Sequence, residues 1–222
     1  MRKRALAVLL PAAFMGTLIV IAALPQTAGQ AGEAAAPAAA PAVSYDPSSV
    51  PAGTYVVDPQ HSALTGALRH AGLSHFVFRF KRFDARFTYD PEKPDAPNIE
   101  VTIDPSSIDT NVAGFDTNIA TSERHFNTAK FPEIKFVSNS LKRTGLDKGV
   151  MEGNITFLGV TKPLSFDVTF LGVRKARNSA TVAFSAATTL LRSDFGFAAG
   201  SDNLADVVAV AVEADFIQQL PQ

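Results

Sequence analysis

The chain contains no cysteine. Disulfides, thiolate catalysis, iron–sulfur clusters, thiolate zinc sites and a lipid-modified N-terminal cysteine are all excluded, so the fold must stand on packing alone. Tryptophan is also absent and tyrosine occurs three times, which leaves nearly all the aromatic bulk to 17 phenylalanines. Neither charge sign is in surplus: Lys and Arg number 20 against 21 Asp and Glu. Nucleic acid as a partner has no electrostatic basis, because phosphate binding needs a clustered positive excess. What the chain does have is an ordinary 46% of hydrophobic residues in a length of 222, enough for a real core in one or two domains.

Arg2-Lys3-Arg4 precede an apolar run from Ala5 to Leu24, and small residues follow at Thr27-Ala28-Gly29 and Ala34-Ala35-Ala36. That order reads as a secretory signal over residues 1–29. The run also has the length of a bilayer-spanning helix, so an uncleaved membrane anchor is the alternative. Pro11 and Gly16 interrupt it and favour removal. On either reading the body lies outside the cytoplasm, in the periplasm of a cell with two membranes. Residues 30–52 then collapse to Ala, Pro, Gly and Ser, with little apolar bulk to offset ordering entropy, and are expected to form a flexible tether. This leaves 53–218 as the folded domain.

From Gly53 onward apolar residues recur at every second position, the mark of strands with one buried face. Phe76, Phe78 and Phe80 share one face, and Phe83, Phe87 and Tyr89 continue on the opposite parity. A bulge or bend near Lys81-Arg82 is needed to keep all six pointing inward. The same alternation runs through Ile99 to Ile103, Ile134 and Phe136, Ile155 and Phe157, Leu164 to Phe170, Val182 to Leu190, and Val208 to Phe216. About eight such runs, separated by Asp, Gly, Asn and Pro clusters, indicate an all-β antiparallel meander of sandwich or barrel type. The one helical candidate is Asn111 to Thr128, with Asp109-Thr110 as its cap and Gly114 inside it, so one or two short turns are expected.

About eight strands is the size at which a barrel either fills with its own side chains or holds one small ligand. From the residues alone both remain open: the phenylalanines fill a core, which is the plainer reading, or they line an elongated apolar cavity.

Several stretches together resemble the signature segments of the YceI-like family: Gly53-Thr54-Tyr55-Val56-Val57-Asp58-Pro59-Gln60-His61-Ser62, Arg69-His70-Ala71-Gly72-Leu73-Ser74, and Phe126-Asn127-Thr128-Ala129-Lys130-Phe131-Pro132-Glu133-Ile134-Lys135-Phe136. Gly153 to Pro163 is similar to that family's second strand hairpin and Arg192-Ser193-Asp194-Phe195-Gly196 to its late turn. The resemblance implies an extended, lipocalin-like antiparallel β-barrel. Its apolar tunnel would hold a polyisoprenoid, an isoprenoid quinone or a fatty acid derivative, without catalysis and with no cofactor beyond the bound lipid. By strand parity the lining is expected to include Phe76, Phe78, Phe80, Phe136, Phe157, Phe166 and Phe184. His61, Arg69 and His70 are candidates for a polar head group because the resembling segments contain them. Phe78 departs from the family, which often has Gly there, and its bulk would narrow or reshape the tunnel. Transient membrane contact and pairing of two chains are compatible with such a carrier.

The sharp alternative is a metal-dependent hydrolase using His61, His70, His75 or His125, but no His-Glu-x-x-His or similar ligand spacing occurs. Asp194-Phe195-Gly196 matches a kinase magnesium triplet without any accompanying kinase motif, so a turn with Gly at an unusual backbone angle is expected. Arg79, Lys81, Arg82 and Arg86 alternate with the phenylalanines and read as the solvated face of a strand, or as a contact for anionic lipid head groups.

Overall fold

In a computed structural model of the chain, residues 42–94, 98–197 and 203–220 are described. The expected signal segment lies outside them. The wall begins with β2 (Gly53–Val57) and β3 (Ala63–His70), preceded by a short β1 (Val43–Ser44). Then follow β4 (Ser74–Phe80), β5 (Phe83–Tyr89), β6 (Asn98–Ile103) and β7 (Ile108–Asp109). After helix α1 (Ala113–Thr121) come β8 (Ile134–Arg143), β9 (Lys148–Phe157), β10 (Val160–Lys175), β11 (Ala180–Leu191) and β12 (Val207–Gln218).

The twelve segments make a closed, eight-stranded antiparallel barrel. Three walls are single strands broken in the middle: β2 runs into β3, β4 into β5, and β6 into β7. β12 closes the ring, pairing with β11 from Val207 to Ile217 on one side. On its other side it pairs with β2 at Phe216 and with β3 at Ala209 to Glu213. The expected bend at Lys81-Arg82 lies between β4 and β5, and Phe80 and Phe83 on either side of it both face inward. β11 and β12 have 12 residues each. At about 3.4 Å per residue and a tilt of roughly 40°, the wall is roughly 30 Å high.

Residues 42–52, expected within the tether, are ordered on the barrel. β10 continues past the end of β9, and β1 takes the vacated place beside it, with Ser44 opposite Val173 and Val43 opposite Arg174. The edge hydrogen bonds of β10 are thereby satisfied, which composition alone did not foretell. Asp46 then accepts from Ser48 N at 2.9 Å to cap a 3₁₀ turn, Pro47–Ser49, and Val50 is buried. The helix is also capped differently from expectation. Its N-cap position is Val112, and Asp116 reaches back to accept from Thr110 N at 2.8 Å and from Thr110 Oγ1 at 2.6 Å.

Buried side chains form two clusters. Around Phe80, Phe126, Phe136, Phe157, Phe195 and Phe197 is the helix-side cluster. At the opposite end Tyr55, Phe87, Phe170 and Phe216 gather with Val173 and Val182. Four neighbouring strands carry a row of register partners without a ring, Val168 opposite Ala186, Ala186 opposite Val212, and Val212 opposite Leu64, which ends on Phe80 opposite Leu64. The short side chains of this row, with phenylalanines around them, border an unfilled space inside the barrel.

Phe78 fits because its cross-strand partner is Gly66. A Cβ on Gly66 would stand 2.2 Å from the Phe78 ring. The ring lies flat across the neighbouring strand where any larger residue would push it into the lumen. Gly153 does the same for Phe136, at 2.5 Å.

Gly66→Ala is expected to cost about 1–3 kcal/mol in urea unfolding through overpacking. In a Phe78→Ala background the same change should cost much less, a non-additivity that isolates the contact. At the far end Tyr55 is fully buried, stacks on Phe87 at 4.9 Å and donates to Pro51 O at 2.8 Å. Burial pushes its hydroxyl from 10 up to about 12. Because the folded value is the raised one, this contribution is complete below pH 10 and is lost as pH rises toward 12. Tyr55→Phe should flatten that alkaline loss while lowering neutral-pH stability by about 1 kcal/mol for the missing hydrogen bond, read from unfolding curves across pH.

Candidate functional site

The unfilled space is a cavity of about 740 Å³ that extends toward both ends of the barrel. At the helix-side end its rim is made by His70, Ser74, His75, Phe115 and Leu204. At the other end it reaches Pro94, Arg143, Leu146 and Asp147. Between the rims the walls are built of phenylalanine, leucine, isoleucine, valine and alanine from every wall of the barrel. A volume in the range of ordinary ligand sites, lined in this way, suits a long apolar molecule and offers it few polar partners.

Each of the expected lining phenylalanines borders this space: Phe76, Phe78 and Phe80 from β4, Phe136 from β8, Phe157 from β9, Phe166 from β10 and Phe184 from β11. Edge contacts lock several of them, with Phe78 against Phe80 at 5.7 Å and Phe136 against Phe166 at 5.1 Å. Parity reasoning could have extended the set to Phe83, Phe87, Phe170 and Phe216, which lie on the same inward alternation. The row residues Val168, Ala186 and Val212 also line the cavity, and their importance comes from being small in matched register, which alternation does not reveal.

The head-group candidates separate. His70 stands at the helix-side rim, exposed. Arg69 does not line the cavity: one residue out of phase with Leu68 and His70, it points outward and donates to Leu73 O at 3.5 Å. His61 is also outside, in the break between β2 and β3, paired with Asp58 at 2.7 Å. The hydrogen bond that the imidazole donates to Asp58 holds its pKa above the ordinary value, and the same bond lowers that of the Asp58 carboxyl. The pair lies in the break in the wall, and neither residue lines the cavity.

Arg192 and His125 are among the polar side chains at the cavity that had not been singled out for a head group. Arg192 is only 5% exposed and lines the helix-side end, where Nε donates to Ala205 O at 3.1 Å and Nη2 to Leu204 O at 3.0 Å. His125 lines the same end, positioned by the turn that follows α1, in which its N–H donates to Ser122 O at 2.9 Å. Neither lies in a strand, so no periodic signal could place them. Among the described residues no three His, Asp or Glu side chains gather as a metal set.

The other motifs resolve as structure. Arg192–Phe195 is a 3₁₀ turn ended by Gly196 at φ 73°, and Asp194 pairs with Lys162 at 2.7 Å. Of the cations between the phenylalanines, all four are exposed, and two have carboxylate partners: Arg79 with Asp109 at 2.8 Å and Arg82 with Asp104 at 2.7 Å.

Comparison with known proteins places this architecture. A UPF0312 protein of Pseudomonas putida is 38% identical over 148 residues, covering 65% of this chain and 77% of that one. One from Shewanella oneidensis is 35% identical over 155 residues, covering 68% and 81%. Among solved structures, the YCEI protein of Campylobacter jejuni superposes with a TM-score of 0.61 at 27% identity, covering 68% of this chain and 90% of that one. A polyisoprenoid binding domain from Saccharophagus degradans, 12% identical, shares the fold at a TM-score of 0.58 over 76% of this chain and 100% of its own. The sequence profile of the YceI-like domain matches residues 55–216, nearly the whole barrel, and the chain belongs to the YceI-like family.

Proposed function

We propose that this protein is an exported binder of a long isoprenoid lipid, which it sequesters or carries in the barrel without transforming it. The observation that carries the reading is the cavity of about 740 Å³ through an eight-stranded barrel, walled by apolar side chains. Each isoprene unit is apolar throughout, and removing apolar area from water contributes about 25 cal/mol per Å². A matching lumen therefore holds such a chain with no reaction chemistry, and length and shape supply the selectivity. The fold shared with a polyisoprenoid binding domain supports the isoprenoid class. Export is supported by the Arg2-Lys3-Arg4 leader and the apolar run after it.

Organic extraction of the purified protein, followed by mass spectrometry, should recover a prenyl lipid at close to one per chain; none at all, from protein purified without detergent, would overturn the proposal. Ala186 belongs to the row of short residues, where its methyl group faces the lumen. Ala186→Trp fills that space, and retention of the lipid should fall by about tenfold or more while the barrel stays folded by circular dichroism. Ala187→Trp, one residue out of phase and exposed, should leave retention unchanged.

A further inference from the structure

The barrel end away from the helix carries a charge pattern that holding an apolar chain does not require. Lys142 and Arg143 end β8, Lys148 begins β9, Arg174 and Lys175 end β10, and Arg177 lies in the turn after it. All six are exposed, and among the described residues none of them stands within ion-pair distance of a carboxylate. The acids in the same segments are Asp147 and, on the N-terminal segment, Asp46. In a chain of net charge -1 this is a local positive excess. The segments that carry it are held together. β1 pairs with β10 at Arg174, and Phe170 N donates to Asp147 O at 2.7 Å. Hydrogen bonds from Ser48 hold the Asp46 carboxyl below its ordinary value and the Arg143 charge adds to them, so the N-terminal segment lies beside the β8–β9 turn. The β5–β6 turn, which brings Pro94 to the same end, carries Asp90 and Glu92 with Lys93, so the positive side is that of β8 to β11.

Apolar side chains project among these cations. Leu146, at the tip of the β8–β9 turn, is 89% exposed, and Tyr45, beside Gly172 of β10, is 75% exposed. A single exposed leucine is ordinary on a protein surface. This one is held out by a fixed turn, in which Thr144 N and Gly145 N both donate to Lys148 O, at 2.9 and 3.2 Å. We propose that this end of the barrel docks on an anionic membrane surface, with Leu146 entering the head-group layer and the cations of the two hairpins lying against lipid phosphates. A soluble polyanion would meet the charges alone, whereas a bilayer offers the apolar tip a hydrocarbon phase behind the phosphates. Arg143, Leu146, Asp147 and Lys148 also line the cavity, so docking sets its opening against the lipid layer. The docking site stands apart from what the cavity holds; its use as a loading port rests on the carrier reading above. Leu73, at the helix-side end, is 81% exposed as well, but residues 69–75 hold a single Lys or Arg and supply no such charge.

Because the chain has no cysteine, Leu146→Cys accepts one environment-sensitive fluorophore, and Leu73→Cys marks the opposite end. Both labelled full-length proteins are mixed with vesicles of phosphatidylcholine alone or of equal parts phosphatidylcholine and phosphatidylglycerol. Any membrane affinity of the leader is common to both positions. Emission from position 146 should rise and shift to the blue on the anionic vesicles and stay unchanged on the neutral ones; position 73 should not respond to either. Molar salt, at a screening length of about 3 Å, should cancel the response. Lys142→Ala, Arg143→Ala and Lys148→Ala together should raise the vesicle concentration for half response about hundredfold, about fivefold for each cation. All the altered side chains are exposed, so circular dichroism should stay that of the barrel. A response at 73 in place of 146, an equal response on neutral vesicles, or an equal one to soluble polyglutamate overturns the proposal, the last by making the partner an acidic protein. A silent label at 146 overturns docking and leaves the carrier standing; a lipid-free extract overturns the carrier and leaves docking standing.

Discussion

Everything in this molecule depends on a mismatch between the circumference of an eight-stranded sheet and the side chains available to fill it. The rings are not spread evenly. They crowd into two clusters, one under the helix and one around Tyr55 and Phe87, and the register sets Leu64, Val168, Ala186 and Val212 in one row across neighbouring strands. Close-packed interiors are the rule, and an unfilled lumen sacrifices dispersion contacts that a core would have made. The two aromatic ends supply the burial that keeps the barrel closed around it.

The broken walls follow from the same constraint. A strand that must curve tightly around a small lumen while keeping every ring inside has to change parity part-way, and it does so between β2 and β3, at Lys81-Arg82, and at the 3₁₀ turn Pro105–Ser107 between β6 and β7. These breaks are neighbours in the sheet and are tied to one another: Arg82 pairs with Asp104, and Arg82 N donates to Ser107 Oγ. The residues that resemble functional groups in the sequence, His61 with Asp58 and the Arg79 to Arg82 cations, are largely spent on stabilising these joints and the outer wall.

Glycine plays the complementary part on the inner face. Gly66 and Gly153 each receive a phenylalanine ring from the adjacent strand, so Phe78 and Phe136 lie along the wall and leave the lumen clear. A bulky residue at 78 thus coexists with an open cavity.

Alternation in the sequence was sufficient for the strand faces, the antiparallel meander and the inward facing of the seven phenylalanines it singled out, because a period of two assigns each side chain to a face with no knowledge of its partner. The turn at Gly196 was legible for the same local reason. Three things were decided only by the assembled barrel. Whether the interior is hollow depends on which short residues meet across neighbouring strands, and that is a property of register between segments apart in sequence. The ordering of residues 43–50 depends on an edge of β10 that exists only once the sheet is formed. The meeting of His125 and Arg192, two residues outside the strands with no periodicity, on one Phe197 ring comes from the closure of the chain around them.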